Sequence, residues 1–192
     1  MPTTISVCCP RCDHHAEFTF SKAQSIKKKD RDYFTRSRNF KTEKVEYWDG
    51  SRDFVAWNDP GLGNNIDVIS DLPANFESTD FKHNNRGFFY YRRTYERGVT
   101  VCKKCDFRRL VKLKWPEMSF YKVEYKNHML WAYNREHALM IRDYLKDPKR
   151  QKRIVSTRGL ISQKAWLRKI PTVFQTKKAT PHVIKKLEKL IS

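Results

Sequence analysis

Two short cysteine pairs, Cys9-Pro10-Arg11-Cys12 and Cys102-Lys103-Lys104-Cys105, stand far apart in the sequence. Two residues between paired cysteines is the spacing at which a tight turn directs both thiolates at one metal ion. Two such turns complete a tetrahedral site, and four thiolates leave no open position for a catalytic water. The spacing therefore predicts one structural Zn²⁺ ion, held by Cys9, Cys12, Cys102 and Cys105. The alternatives are two unrelated turns or redox pairs, but a redox pair usually sits at a helix start in a βαβ unit, which neither pair does.

The residues beside the first pair include three further potential ligands. Cys8 adjoins a predicted ligand and could exchange with it, and His14 and His15 could each replace a thiolate. Because four cysteines already complete the site, we interpret both histidines as surface residues next to the first knuckle.

Each knuckle also requires a backbone that folds over the metal. The residue after the second cysteine commonly takes a positive φ, and here that residue is Asp13 or Asp106. Aspartate is one of the few residues other than glycine that tolerate this region. The 89 residues from 13 to 101 form the closed loop, and closing it costs about 4 kcal/mol. Structural zinc contributes about 10–16 kcal/mol in peptides, so the ion can hold the two ends together.

Composition limits the class of protein. The chain has 192 residues, 39% of them hydrophobic and 14% aromatic, which indicates a folded protein with a sizeable core. No positively charged start is followed by an apolar run, and no later stretch approaches eighteen apolar residues. We therefore expect no signal peptide and no membrane span, and we predict no membrane partner. The expected location is the reducing cytoplasm, where thiols serve metal binding better than disulfides.

The positive charge is concentrated in the second half of the chain. The net charge is +19, yet residues 1–100 hold 16 Lys/Arg against 14 Asp/Glu, whereas residues 101–192 hold 24 against 7. A field this uneven predicts a polyanionic partner, and nucleic acid, DNA or RNA, is the first choice. The alternative is a basic face that serves solubility alone.

The stretch between the knuckles is predicted to be an insertion, at about residues 22–87. Residues 22–46 are basic and polar, which favours a solvated loop over a phosphate-contacting arm. Aromatic residues and turn signals alternate between 47 and 87, which is typical of short strands and loops.

Two β-rich runs flank the second knuckle, as in a zinc ribbon, where the knuckle is the turn of an antiparallel pair. In the second run Val111, Leu113 and Trp115 share one face, and Lys112 and Lys114 share the other. The aromatic residues among arginines at 88–95 could stack on single-stranded nucleic acid, although strand aromatics more often belong to the core.

The C-terminal part is predicted to be helical. After a strand from Tyr121 to Tyr133, Asn134 is placed to cap a helix from Arg135 to about Lys146. Another helix is expected around residues 161–170. A last helix, capped by Thr180 with Pro181 in its first turn, carries an apolar stripe that must be buried on the domain or on a partner protein.

The stretch Trp131-Ala132-Tyr133-Asn134-Arg135-Glu136-His137 follows the two knuckles as a third motif. In these motifs, about a quarter of the chain, the sequence resembles small bacterial zinc-ribbon proteins in which an aromatic strand runs into an N-R-E-H helix start. The resemblance implies a zinc ribbon with a helical extension, and it implies no particular reaction.

These observations predict an α+β protein. Residues 1–133 are expected to form a zinc-ribbon β module with a long insertion, and residues 134–192 a basic helical region. The predicted function is nucleic-acid binding through phosphates, and the predicted contacts come from the ribbon and from the basic linker after Pro148: Arg108, Arg109, Lys112, Lys114, Lys149, Arg150, Lys152 and Arg153.

Two other functions compete with this prediction. A metal-dependent nuclease of the HNH type would use His83-Asn84-Asn85 and Glu136-His137, but these residues do not occur in the order of a compact hairpin and helix. No catalytic residue is therefore assigned. An adaptor would dock on another protein through the apolar stripe of its terminal helix.

Overall fold

The computed structural model describes residues 4–46, 50, 52–59, 73, 96–148, 166–167 and 169–192. Over these ranges the chain is a mixed α+β protein with antiparallel strands, as predicted. It divides into two compact units, the first formed by Cys9–Lys114 and the second by Thr4–Cys8 together with Trp115–Ser192. None of the helices seen in these ranges is long and apolar enough to cross a membrane.

The elements follow one another in a simple order along the chain. The strands are β1 (Thr4–Cys8), β2 (His15–Phe20), β3 (Lys22–Ser25), β4 (Lys41–Glu46), β5 (Arg52–Asn58), β6 (Arg97–Cys102), β7 (Phe107–Lys112), β8 (Tyr121–Tyr125) and β9 (His128–Ala132). The α-helices within the described ranges are α1 (Arg31–Arg36), α2 (Arg135–Lys146) and α3 (Ala179–Ile191), and two 3-10 helices cover Lys28–Asp30 and Thr172–Gln175.

In the first unit, β6 pairs with β2 on one side and with β7 on the other, both antiparallel. Val101 of β6 therefore lies opposite Glu17 of β2 and Arg108 of β7. This register confirms two predictions: the strand from His15 to Phe20, and the antiparallel pair whose turn is the second knuckle. It also carries the two cysteine pairs to the same end of the strands.

Close contact between β2 and β6 depends on Gly98. The ring of Phe18, which is fully buried, lies over the Gly98 backbone. A Cβ atom at this position would be 2.3 Å from the Thr19 carbonyl oxygen and 2.5 Å from the nearest ring atom of Phe18. Only glycine fits here, because its missing side chain leaves room for a neighbouring backbone and ring.

A second sheet of the first unit, in the order β3-β5-β4, occupies the segment between the knuckles. The prediction of a solvated loop over residues 22–46 is wrong, since this segment forms β3, α1 and β4. Its elements are short, and each buries few apolar side chains, such as Phe34 in α1 and Val45 in β4. So sparse a pattern gives no clear periodicity in the sequence.

The side chain of Arg97, the first residue of β6, is held by two partners within the first unit, Trp57 and Asp59. Its guanidinium lies 4.8 Å from the ring centroid of Trp57, and its Nη2 is 3.0 Å from Oδ2 of the buried Asp59. Asp59 also accepts a hydrogen bond from the hydroxyl of Ser21. A buried carboxylate needs such partners, and these also fix the start of the strand that leads to the second knuckle.

The second unit contains the hairpin β8–β9, which the sequence analysis treated as a single strand from Tyr121 to Tyr133. The chain reverses at Lys126 and Asn127, whose φ angles are 47° and 59°. Two consecutive positive φ values are typical of the two-residue hairpin turns that match strand twist. The turn was missed because it lacks the glycine that usually marks it.

Helix α2 begins and ends as predicted. The side chain of Asn134 accepts a hydrogen bond of 2.9 Å from the backbone N–H of His137, so it caps the helix N-terminus. The inner residues Ala138, Ile141 and Leu145 are all buried. Strands β8 and β9 share one core with α2 and α3.

Helix α3 buries its apolar stripe in that core, through Val183, Leu187 and Ile191. It begins at Ala179, one residue before the predicted cap at Thr180. The hydroxyl of Thr176 accepts the Ala179 N–H at 3.2 Å and satisfies one of the free donors of the first turn. The helix expected around residues 161–170 falls largely outside the described residues.

Candidate metal centre

The four cysteines of the two pairs meet at one point in the first unit. The Sγ atoms of Cys9, Cys12, Cys102 and Cys105 all lie within 4.8 Å of one another. Two of these separations join the two knuckles: 3.6 Å between Cys9 and Cys105, and 3.7 Å between Cys12 and Cys102. No other cluster of three or more His, Cys, Asp or Glu side chains close enough to share an ion occurs in the described part of the chain.

These separations fit a metal site and do not fit disulfides. A disulfide joins sulfur atoms at about 2.05 Å, far below the 3.6 Å observed. In a tetrahedral site with metal–sulfur bonds of about 2.3 Å, neighbouring sulfur atoms are about 3.8 Å apart. The cysteines are therefore already arranged so that a tetrahedral ion between them could be bound with little movement.

In each knuckle the backbone forms a tight turn next to the four-cysteine cluster. In the first knuckle the N–H of Cys9 donates to the carbonyl of His14 at 2.8 Å, and the N–H of Asp13 donates to the carbonyl of Cys9 at 3.0 Å. Asp13 and Asp106 have φ angles of 57° and 56°. The prediction of positive φ after each second cysteine is thus confirmed in both knuckles.

The thiols differ in how easily they ionise. Burial opposes ionisation of Cys102, but hydrogen bonds from the backbone N–H groups of Cys105 and Lys104 outweigh it and lower the pKa of Cys102 to about 7. Burial, followed by the contact with Cys12, raises the pKa of Cys105 to about 12. A packed cluster of thiols holds several negative charges only when a cation offsets them, which is what a divalent ion provides.

The three neighbouring candidates make other contacts. The thiol of Cys8 donates to the carbonyl of Ser119 at 3.7 Å, and Cys8 is not part of the four-cysteine cluster. His14 donates from Nδ1 to the carbonyl of Cys12 at 2.8 Å, and His15 is exposed. His14 thus supports the knuckle backbone.

The predicted phosphate-binding residues fall into two groups. Arg108 and Arg109 on β7 are exposed, and so are Lys112 and Lys114. Lys112 makes an ion pair of 3.4 Å with Glu96, but both side chains are more than half exposed, so the pair is weak and can be exchanged. The remaining four, Lys149, Arg150, Lys152 and Arg153, lie outside the described residues.

The sequence analysis missed basic residues inside the knuckles themselves. Arg11, Lys103 and Lys104 occupy the positions between the paired cysteines, and Lys103 and Lys104 are exposed. Nη1 of Arg11 donates to the carbonyl of Cys105 at 3.5 Å and so joins the two knuckles. The sequence signal that could have identified them is that three of the four residues between the paired cysteines are basic.

His137, one of the residues considered for a nuclease, has a structural position in the second unit. Its Nδ1 accepts the N–H of Tyr133 at 3.2 Å, and its ring contacts that of Trp166, with centroids 4.3 Å apart. Burial lowers the pKa of His137 to about 4, so the ring is neutral at physiological pH. The other nuclease candidates, His83, Asn84 and Asn85, are outside the described residues.

Comparison of the chain with protein-family models, with curated proteins and with solved structures found no match.

Proposed function

We propose that this chain is a zinc-ribbon protein that binds nucleic acid, with one structural Zn²⁺ ion holding its two knuckles together. The observation that carries the proposal is the cluster of four Sγ atoms at the turn that leads into β7, a strand that exposes the consecutive arginines Arg108 and Arg109. Zinc is the ion proposed because four thiolates in tetrahedral arrangement suit it and leave no coordination position for a substrate.

The proposed role of the ion is to fix the hairpin β6–β7. Cys102 ends β6, and Cys105 lies two residues before β7. An ion bound to both cysteines and to the first knuckle would limit the motion of the turn that leads into β7. Residues on that strand would then present their charges from a rigid support, which reduces the entropy lost on binding.

The proposed ligand follows from charge and exposure. Arg108 and Arg109 point to opposite sides of β7 because they are consecutive in a strand, yet both are exposed. Together with Lys103 and Lys104 in the preceding turn they place four cations within seven residues. Arginine and lysine bind phosphates strongly, and contacts of this kind position a protein on nucleic acid without reading its sequence.

Two measurements test the proposal. Elemental analysis of the purified protein is expected to show about one zinc per chain. Cys102→Ser should lose the metal and unfold the first unit, whereas Cys8→Ser should leave the zinc content unchanged. Loss of zinc in Cys8→Ser with retention in Cys9→Ser would overturn the ligand assignment.

The second measurement is fluorescence anisotropy with labelled DNA and RNA across a salt series. Arg108→Gln with Arg109→Gln should lower the slope of log affinity against log salt by up to about 1.8 on duplex DNA. The matched control is Lys28→Gln with Lys29→Gln, which removes the same charge from two exposed positions of the first unit and should change the slope little. Absence of binding by the wild-type protein at low salt would refute nucleic-acid binding.

A further inference from the structure

Helix α3 carries a line of basic side chains on the side opposite its buried stripe. Lys178, at the helix N-cap, is followed by His182, Lys185 and Lys189, and all four are exposed. At about 100° per residue, the four positions fall within an arc of about 60°. We call these four residues the α3 basic face.

We propose that the α3 basic face is a second phosphate-binding surface for nucleic acid, carried by the second unit and separate from strand β7. This inference rests on the proposed function, and it identifies contacts on a helix to which the sequence analysis assigned no phosphate-binding residue.

Few acidic groups offset the charge of this face. Residues 169–192 contain six lysines and a single carboxylate, Glu188. That carboxylate is already paired with Lys146 of α2, whose Nζ lies 2.6 Å from Glu188 Oε1. The positive field of the face is therefore not cancelled by its own helix, and such a field attracts polyanions.

The hairpin β8–β9 extends the face. The ring of Tyr125 lies 5.7 Å from that of His182, and the ammonium group of Lys126 lies 5.7 Å from the Tyr125 ring centroid. Lys126 occupies the exposed hairpin turn. A further cation is thus placed beside the helix on an element packed against the same core.

The geometry suits an extended polyanion. Lys178 and Lys189 are eleven residues apart, or about 16 Å along the helix axis. A nucleic-acid strand spaces its charges by about 3.4 Å along the axis, so this length corresponds to about five phosphates. The core holds α3 through Val183, Leu187 and Ile191. The helix is therefore already folded, and its lysines can contact phosphates without a folding step on binding.

The same packing argues against a membrane surface as the partner. A helix that lies in a lipid interface inserts its apolar face between acyl chains. The apolar stripe of α3 is instead part of the protein core, and Leu187 is only 1% exposed. The α3 basic face itself consists of three lysines and a histidine and has no apolar anchor, which suits phosphates in water.

The experiment removes three charges from this face and three from a matched site. Lys178, Lys185 and Lys189 are changed together to Gln. The control changes Lys27, Lys28 and Lys29 to Gln, since these are also exposed and leave the same net charge. Affinity for a labelled 20-base-pair duplex, and for one of its single strands, is measured by anisotropy from low to moderate salt. Binding to vesicles containing phosphatidylserine is measured by co-sedimentation.

The α3 variant should lower the salt slope by up to about 2.7 on duplex and about 2.1 on single strands, with affinity at low salt falling about tenfold or more. The control should keep the wild-type slope, and Lys→Arg at the same three α3 positions should restore binding. Zinc content and circular dichroism should match the wild type in every variant, because all the changes are at exposed positions.

Three results would overturn the inference. The α3 variant could bind like the wild type, or both triple variants could lose the same affinity, which would make net charge alone responsible. The α3 variant could instead lose binding only to vesicles containing phosphatidylserine, which would assign the face to a membrane. Failure of the wild-type protein to bind any nucleic acid is a separate result, which refutes the proposed function itself.

Discussion

Gly98→Ala is a direct test of how closely β2 and β6 approach. The added Cβ atom would lie 2.3 Å from the Thr19 carbonyl oxygen and 2.5 Å from the Phe18 ring. Ordinary contact between such atoms begins near 3.4 Å, so the overlap is about 1 Å. Phe18 is fully buried and cannot turn into solvent. The variant must therefore move β2 away from β6 or displace a core ring.

Both responses are costly. Forcing an extra carbon into a packed core costs about 1–3 kcal/mol, and stretching neighbouring strand hydrogen bonds adds about 1 kcal/mol for each bond weakened. We expect a loss of about 3 kcal/mol in the free energy of unfolding. For a chain of this length that corresponds to a fall in melting temperature of about 6–12 °C.

Thermal and urea unfolding should be compared at a fixed free zinc concentration, because metal binding stabilises the folded state by mass action. The matched control is Gly50→Ala. Gly50 has a φ of 77°, and no atom of the described residues lies within 4 Å of an added Cβ, so only backbone strain of about 1–2 kcal/mol is expected there. Equal losses in the two variants, or a melting temperature of Gly98→Ala within 2 °C of the wild type, would refute the packing argument.

Two further predictions concern the second unit. Because burial lowers the pKa of His137 from 6.5 to about 4, the unfolded chain takes up the proton first, so stability falls as the pH drops through this range. The full shift is worth about 3 kcal/mol, which screening of this partly exposed ring reduces to about 1–2 kcal/mol. Urea unfolding at pH 7 and pH 4.5 should show this difference in the wild type, and His137→Gln should remove it. Leu187→Asp should lower the free energy of unfolding by about 3 kcal/mol or more, because it places a charge in the core. Lys186→Asp changes an exposed residue of the same helix and should lower it by under about 0.5 kcal/mol. Equal melting temperatures for the two variants would show that the stripe is not buried.

Features that depend on the type and spacing of neighbouring residues were predictable from the sequence. The spacing of the four cysteines indicated one cluster, and aspartate after each second cysteine indicated positive φ. Asn134 indicated the start of α2, because an amide side chain can satisfy the free N–H groups of a first helical turn. Each of these features depends on residues close to one another in sequence. The exception is the pairing of the two knuckles, which could be predicted because a tetrahedral thiolate site needs four cysteines and each pair provides two.

Features that depend on distant partners were not predictable. Strand β1 belongs with the second unit: the N–H of Ser6 donates to the carbonyl of Tyr133 at 2.6 Å, and its own carbonyl accepts the N–H of Phe120 at 3.2 Å. Backbone hydrogen bonds of this kind do not require particular side chains, so the residue types do not reveal the partner strand. The hairpin turn at Lys126–Asn127 was missed for a related reason, since the strands on either side impose its backbone angles.

The separation of the two knuckles along the chain has a consequence for synthesis. Cys12 and Cys102 meet across 90 residues, and a ribosome adds about 5–20 residues per second. The first pair of thiols is therefore synthesised about 5–20 s before its partners, with Cys8 beside it. During that interval only half a site is present, and a bound ion would have two positions open to other ligands. The four-cysteine site can be complete only after the turn between β6 and β7 has been made.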